Sequence, residues 1–134
     1  MSEIDEALRL DEPVDAGSAA RAAEEALRNV VHATDASTGW PGLTGAADVY
    51  AVLGALGYTL ELLPQLLGQL TGWLEAHAPR LQVDGSPGLQ ADLLAAIRGD
   101  LDAALDALEP GRERLAAAQA ALAPVSGPVA DSGR

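Results

Sequence analysis

The chain contains no cysteine, no lysine and no phenylalanine, and aromatic residues make up only 3% of it. Without cysteine there is no disulfide framework, no thiolate nucleophile and no Cys-ligated metal. With so few aromatic side chains, the core must be built from alanine, leucine and valine, and this composition favours helices. The 134 residues are enough for one modest domain.

Positive charge is scarce, because 8 basic residues face 20 acidic ones and give a net charge of −12. This balance argues against nucleic acid as a direct partner, since phosphate binding needs clustered positive charge, and against an anionic membrane surface. Long apolar runs are also absent, because Asp48, Glu61 and Glu75 interrupt the most apolar stretch. We therefore predict no membrane span. The acidic N-terminus has no secretory signal, so we predict a cytoplasmic chain.

The stretch from residue 48 to residue 78 carries the strongest pattern, a heptad repeat with apolar residues at alternating steps of four and three. Its members are Val49, Leu53, Leu56, Leu60, Leu63, Leu67, Leu70 and Leu74. Such a repeat is typical of a helix that buries one stripe against other helices, as in coiled coils. We expect Leu60 and Leu67 to be buried, with a cost of about 2–5 kcal/mol for replacement by alanine.

Two further helices are predicted, at residues 18–34 and 89–123. In the second of them the apolar positions are Leu94, Ile97, Leu101, Ala104, Leu108, Gly111, Leu115, Ala118 and Leu122. The two long helices, joined by a Pro/Gly-rich turn at 79–88, form an antiparallel hairpin. The predicted fold is all-α, a three-helix bundle over residues 15–123. It follows an acidic segment at 1–14, with a short helix near residues 2–10, and precedes a disordered tail at 124–134.

The helix at 46–78 carries a second apolar strip beside the heptad, formed by Val52, Leu62, Leu66 and Trp73. The short helix cannot cover all of it, so we expect apolar surface to stay exposed there. Exposed apolar patches mark interaction sites. Trp40, in the Gly/Pro-rich loop at 35–45, either plugs the end of the bundle or anchors a partner. We predict that these five residues contact a partner, and that the chain forms a homodimer.

No catalytic arrangement of residues is evident. The two histidines, His32 and His77, have no ligand at metal-binding spacing on their own helices. There is no Walker motif, no GxGxxG and no Gly-x-Ser-x-Gly elbow. The sequence therefore predicts a protein that is not an enzyme and needs no cofactor or metal.

The tripeptide Trp40-Pro41-Gly42 resembles the Trp-x-Gly motif of the WXG100 family of small helical hairpins. In that family the motif lies in the turn between the two long helices, and the resemblance implies export by a specialised secretion system. Here the tripeptide precedes the first long helix. The acid that follows a tyrosine by four residues in that family is missing, because Gly54 follows Tyr50 and Leu62 follows Tyr58.

The predicted function is a non-enzymatic protein-protein interaction module, an adaptor or an assembly protein. The alternatives are a WXG100-like exported protein, a bundle that binds a small ligand near Pro64 and Trp73, and an acidic nucleic-acid mimic. The last alternative follows only from the charge of −12.

Overall fold

The computed structural model describes residues 15–126, and this part of the chain is mostly helical, which confirms the all-α prediction. Its long helices are α1 (Ala16–Ala33), α2 (Ala46–His77) and α3 (Ala91–Leu122). The predicted short helix near residues 2–10 lies outside the described residues, and so does the tail beyond residue 126. Residues 15–48 and residues 49–126 belong to two compact units.

In the first unit, α1 begins where its sequence provides a cap. The Asp15 carboxylate accepts hydrogen bonds from the Ser18 backbone N–H (3.1 Å) and hydroxyl (2.7 Å), which satisfies a free N–H at the helix start. Glu24 and Arg28 form an ion pair one turn apart. The helix ends at Thr34, whose backbone N–H donates to the Val30 carbonyl.

The loop after α1 folds back closely on the end of that helix. A short 3-10 turn, Ala36–Thr38, is capped by Asp35, and the backbone N–H of Gly42 donates to the Ala33 carbonyl at 2.7 Å. A Cβ atom placed on Gly42 would lie only 2.7 Å from the Cβ of Ala33. This position therefore requires glycine.

The start of α2 is fixed by Asp48 in its first turn. The Asp48 carboxylate accepts from the backbone N–H of Thr44 (2.7 Å) and from its hydroxyl (2.9 Å). The carboxylate is the acceptor in both bonds, and Thr44 is the donor. These hydrogen bonds hold the pKa of Asp48 below its usual range.

We predict that this carboxylate stabilises the start of α2 in full above about pH 4 and loses this effect in stronger acid. Because the folded pKa is lowered, the contribution is present above the unfolded pKa and is lost as the pH falls through the folded one. Asp48→Asn should therefore unfold at a lower temperature than the wild type near neutral pH, and the gap should close in acid. Circular dichroism melts across pH measure it. The control Asp106→Asn, an exposed acid of α3, should show little gap.

In the second unit, α2 and α3 are joined by a tight turn that the sequence analysis described only as Pro/Gly-rich. Two short strands, β1 (Gln82–Val83) and β2 (Ser86–Pro87), pair antiparallel around Asp84 and Gly85. Both central residues have positive φ, +49° and +81°, as a type I′ turn requires. The Asp-Gly dipeptide is a strong signal for this turn, and the prediction overlooked it.

Both long helices continue through a proline. Pro64 lies inside α2, and Pro110 lies inside α3. Proline lacks the N–H that would bond four residues back, so each helix loses one backbone hydrogen bond. The two prolines lie at nearly the same height in the hairpin, since Glu61 and Arg112 pair beside them.

Burial differs from the prediction. Leu60 and Leu67, expected to be buried, are half-buried. Among the side chains that the structure describes, Ala22 of α1 is the one that is buried. On α3 the predicted heptad members Ala104, Gly111 and Ala118 are exposed. Their neighbours Leu105, Arg112 and Gln119 are half-buried instead.

Candidate functional site

Three contacts between side chains or backbone show that α2 and α3 lie side by side and antiparallel. Glu75 pairs with Arg98 near the turn, and Glu61 lies 3.5 Å from Arg112 farther along. At the far end the Gln119 amide donates to the Tyr50 carbonyl at 3.3 Å. From one pair to the next, the α3 residue number rises by about as much as the α2 number falls. The pairs therefore show which residues of the two helices lie side by side, at the same height along the axis of the hairpin.

One side of this hairpin is polar and carries two open grooves. The groove near the turn, about 330 Å³, is lined by Gly68 and Gly72 of α2 and by Arg98 and Asp102 of α3. The second groove, about 280 Å³, lies near the Glu61–Arg112 pair. Both are shallow and open to solvent, unlike the enclosed apolar cavities that bind small molecules.

The Arg112 guanidinium is held by carboxylates from both helices. It donates to the Glu109 carboxylate at 3.1 and 2.6 Å and also lies near Glu61. Arg112 thereby lowers the pKa of Glu109, while the hydrogen bond to Glu109 raises the pKa of Arg112. Charge is satisfied locally on this side, which is the behaviour of a structural ion pair rather than of an acid-base catalyst.

The opposite side is apolar, and we call it the apolar flank. Its large exposed side chains on α2 have exposed fractions between 46% and 64%: Leu62, Leu66, Leu70 and Trp73. On α3 it contains Leu93 (40% exposed) and Leu108 (38%), with the exposed small residues Ala104, Gly111 and Ala118. At about 100° per residue, Leu93 lies on the far side of α3 from Asp102, which lines the polar groove.

The apolar flank carries almost no charge. Between residues 51 and 77 of α2 the charged residues are Glu61 and Glu75, and both pair with arginines on the polar side. On α3 one exposed carboxylate, Asp100, lies on the flank, because it follows Leu93 by seven residues; it lies at the height of Trp73. In a chain of net charge −12, an apolar surface of this length is the feature that most needs a function.

The structure brings three of the five predicted contact residues together. Leu62, Leu66 and Trp73 are exposed on the apolar flank, whereas Val52 is half-buried in the hairpin. Leu70, which was assigned to the buried heptad, is 46% exposed and joins them. Trp40 lies in the first unit, in the loop after α1, where it is 53% exposed. Its φ of +50° is unusual for a residue with a Cβ atom.

The histidines show no sign of a metal centre. The His77 ring stacks on Trp73 with a centroid separation of 4.3 Å, and its Nδ1 lies 2.9 Å from the Trp73 carbonyl oxygen. No group of three or more metal-ligating side chains occurs within residues 15–126. His77 therefore fixes the end of α2 and the orientation of Trp73.

The helix Ala46–Arg80 is long and apolar enough to cross a membrane by length and composition, with a mean hydropathy of 1.3 over 18 residues. The absence of a membrane span therefore stays a prediction.

Comparison with protein families, with curated proteins and with solved structures finds no match.

Proposed function

We propose that the chain is a non-enzymatic helical module that binds another protein chain through the apolar flank. The observation that carries the proposal is the exposure of Leu62, Leu66, Leu70 and Trp73 on one apolar side of the hairpin. Contiguous exposed apolar patches are rare on monomers and usually mark interaction sites. Covering a half-exposed leucine would contribute about 1 kcal/mol, so a partner that covers the whole flank gains several.

A protein partner fits this helix better than a bilayer does. Glu61 and Glu75 are spaced so that every 18-residue stretch of residues 46–80 contains at least one acid. A carboxylate near the centre of a membrane helix costs about 2.5–3.5 kcal/mol. Both acids also pair with arginines of α3, and these would have to enter the membrane with them or be left unpaired.

The finer parts of the sequence interpretation stay predictions. They are the packing of α1 as the third helix of a bundle, the cytoplasmic location, the WXG100-like export and the acidic mimicry of nucleic acid. The Trp40-Pro41-Gly42 tripeptide lies in the loop before α2, while Asp84 and Gly85 form the turn of the hairpin.

The test is capture of partners from the native cell with three tagged forms of the chain, followed by mass spectrometry. Leu66→Glu places a charge in the middle of the apolar flank and should lose at least nine-tenths of each specific partner. Gln65→Glu adds the same charge on the neighbouring exposed residue, outside the flank, and should retain partners. Equal recovery by both variants would overturn the proposal.

A further inference from the structure

The apolar flank differs between the two helices. On α2 it presents the large side chains of Leu62, Leu66, Leu70 and Trp73, whereas on α3 the small residues Ala104, Gly111 and Ala118 recur at intervals of seven residues beside Leu93 and Leu108. A Cβ atom placed on Gly111 would meet nothing within 4 Å, so there is open space above it. A surface of this kind is complementary to itself, because the large side chains of one copy fit against the small residues of another.

The heights of these residues match as well. The Glu75–Arg98 pair places Leu70 level with Ala104, since each lies five or six residues from its member of the pair. By the same measure, Leu66 lies at a height between Ala104 and Gly111. If two hairpins meet with their turns at the same end, Leu66 of one copy enters the space between Ala104 and Gly111 of the other. This is a knob entering a hole.

Charge also favours a second copy. In a two-fold interface each patch meets itself, so a charged patch would repel its own image. Most of the flank avoids this, because the acids Asp102, Asp106, Glu109 and Glu113 lie on the opposite side of α3. The one carboxylate of the flank, Asp100, would lie at the height of Trp73 of the other copy, whose indole N–H is a hydrogen-bond donor.

The flank extends over several turns of both helices. From Leu62 to Trp73 the strip on α2 is about 17 Å long at 1.5 Å per residue, and the flank on α3 from Leu93 to Ala118 is about 38 Å long. The four large α2 residues supply the apolar centre, and the α3 residues supply the rest.

We propose that the protein chain bound on the apolar flank is a second copy of this chain, related by a two-fold axis that runs along the helices. Both turns then lie at the same end, and α2 of each copy packs on α3 of the other in a four-helix arrangement. The inference rests on the proposed function and names the partner.

Analytical ultracentrifugation of the full chain tests it. The wild type should be a dimer at micromolar concentration. Its dissociation constant should fall from low to moderate salt, because salt screens the repulsion between the acidic copies. Leu66→Glu should raise the dissociation constant at least 10-fold, and the matched control Gln65→Glu less than about 3-fold. Gly111→Leu should also raise it at least 10-fold, because the leucine fills the hole.

The Gly111→Leu variant separates packing from misfolding. Leucine is a better helix former than glycine, so helix content measured by circular dichroism should be equal or higher while the dimer is lost. A dimer of unchanged strength in this variant would overturn the proposed arrangement.

Cysteine cross-linking tests the register, and the chain has no cysteine to interfere. An equal mixture of Leu70→Cys and Ala104→Cys chains should form a mixed disulfide dimer faster than either variant alone forms its own. Equal rates would overturn the register.

The failure of this inference and the failure of the proposed function look different. A monomeric wild type whose cellular partner is lost in Leu66→Glu overturns the self-association and keeps the interaction function. A monomeric wild type that loses no partner in Leu66→Glu overturns both. If that monomer also unfolds more easily with Leu66→Glu, the flank is covered within the chain itself.

Discussion

Replacing Leu60 and Leu67 together by alanine lowers the free energy of unfolding by about 2–5 kcal/mol. A buried leucine costs this much alone, and the two leucines here are each half-buried, so about half of the cost applies to each. Leu60 and Leu63 of α2, with Leu105 and Leu108 of α3, line a cavity of only about 10 Å³ between the two helices. Shortening Leu60 enlarges this cavity, and the surrounding helices can only partly close it.

Chemical denaturation followed by circular dichroism measures the effect. The matched control is Tyr58→Ala on the same helix, where the side chain is 72% exposed and its loss should cost less than about 1 kcal/mol. An equal loss in both variants would mean that the stripe through Leu60 and Leu67 does not hold the two helices together.

Replacing Pro64 by alanine should stabilise the chain by about 1–3 kcal/mol. A proline in a helix interior costs about 3 kcal/mol relative to alanine. The backbone around Pro64 accommodates the ring, so the gain on replacing it should be smaller than the full cost. Because Pro64 and Pro110 lie at nearly the same height, the two helices can depart from ideal geometry together. The double replacement should therefore gain more than the sum of the single ones.

Thermal and denaturant unfolding of the single and double variants tests this. Pro79→Ala is the control, because Pro79 lies at the start of a 3-10 turn, where the missing N–H is not needed, and its replacement should change little. A destabilised Pro64→Ala would show that the proline ring contributes contacts that outweigh the lost hydrogen bond.

The sequence was sufficient to predict the helices, because local signals set their bounds. Asp15 caps α1 with its side chain, and the Gly/Pro-rich stretches at 35–45 and 79–88 were predicted as connections. The heptad on α3 was predicted with Ala104, Gly111 and Ala118 inside. A straight helix with 3.6 residues per turn drifts by about 20° per heptad, so the inner stripe moves to Leu105, Arg112 and Gln119.

The candidate site was harder to predict because it depends on which residues share a height. No local signal pairs Glu61 with Arg112 or Glu75 with Arg98, since the contacts join residues far apart in the chain. The strip of Leu62, Leu66 and Trp73 was visible from periodicity on α2 alone. The small residues of the flank on α3 were assigned to the core, because alanine and glycine occur on both buried and exposed faces of helices.

The Asp84-Gly85 turn also sets the order in which the hairpin forms. Contacts near the turn close short loops, whereas the contact between Tyr50 and Gln119 joins residues 69 apart and closes the longest one. Loop closure costs more entropy as the loop lengthens, so we expect contacts between the paired helices to form first beside the turn and last at the far end. On heating, we expect the helices to separate first at the Tyr50 end. The amide protons there should then exchange with solvent before those beside Glu75.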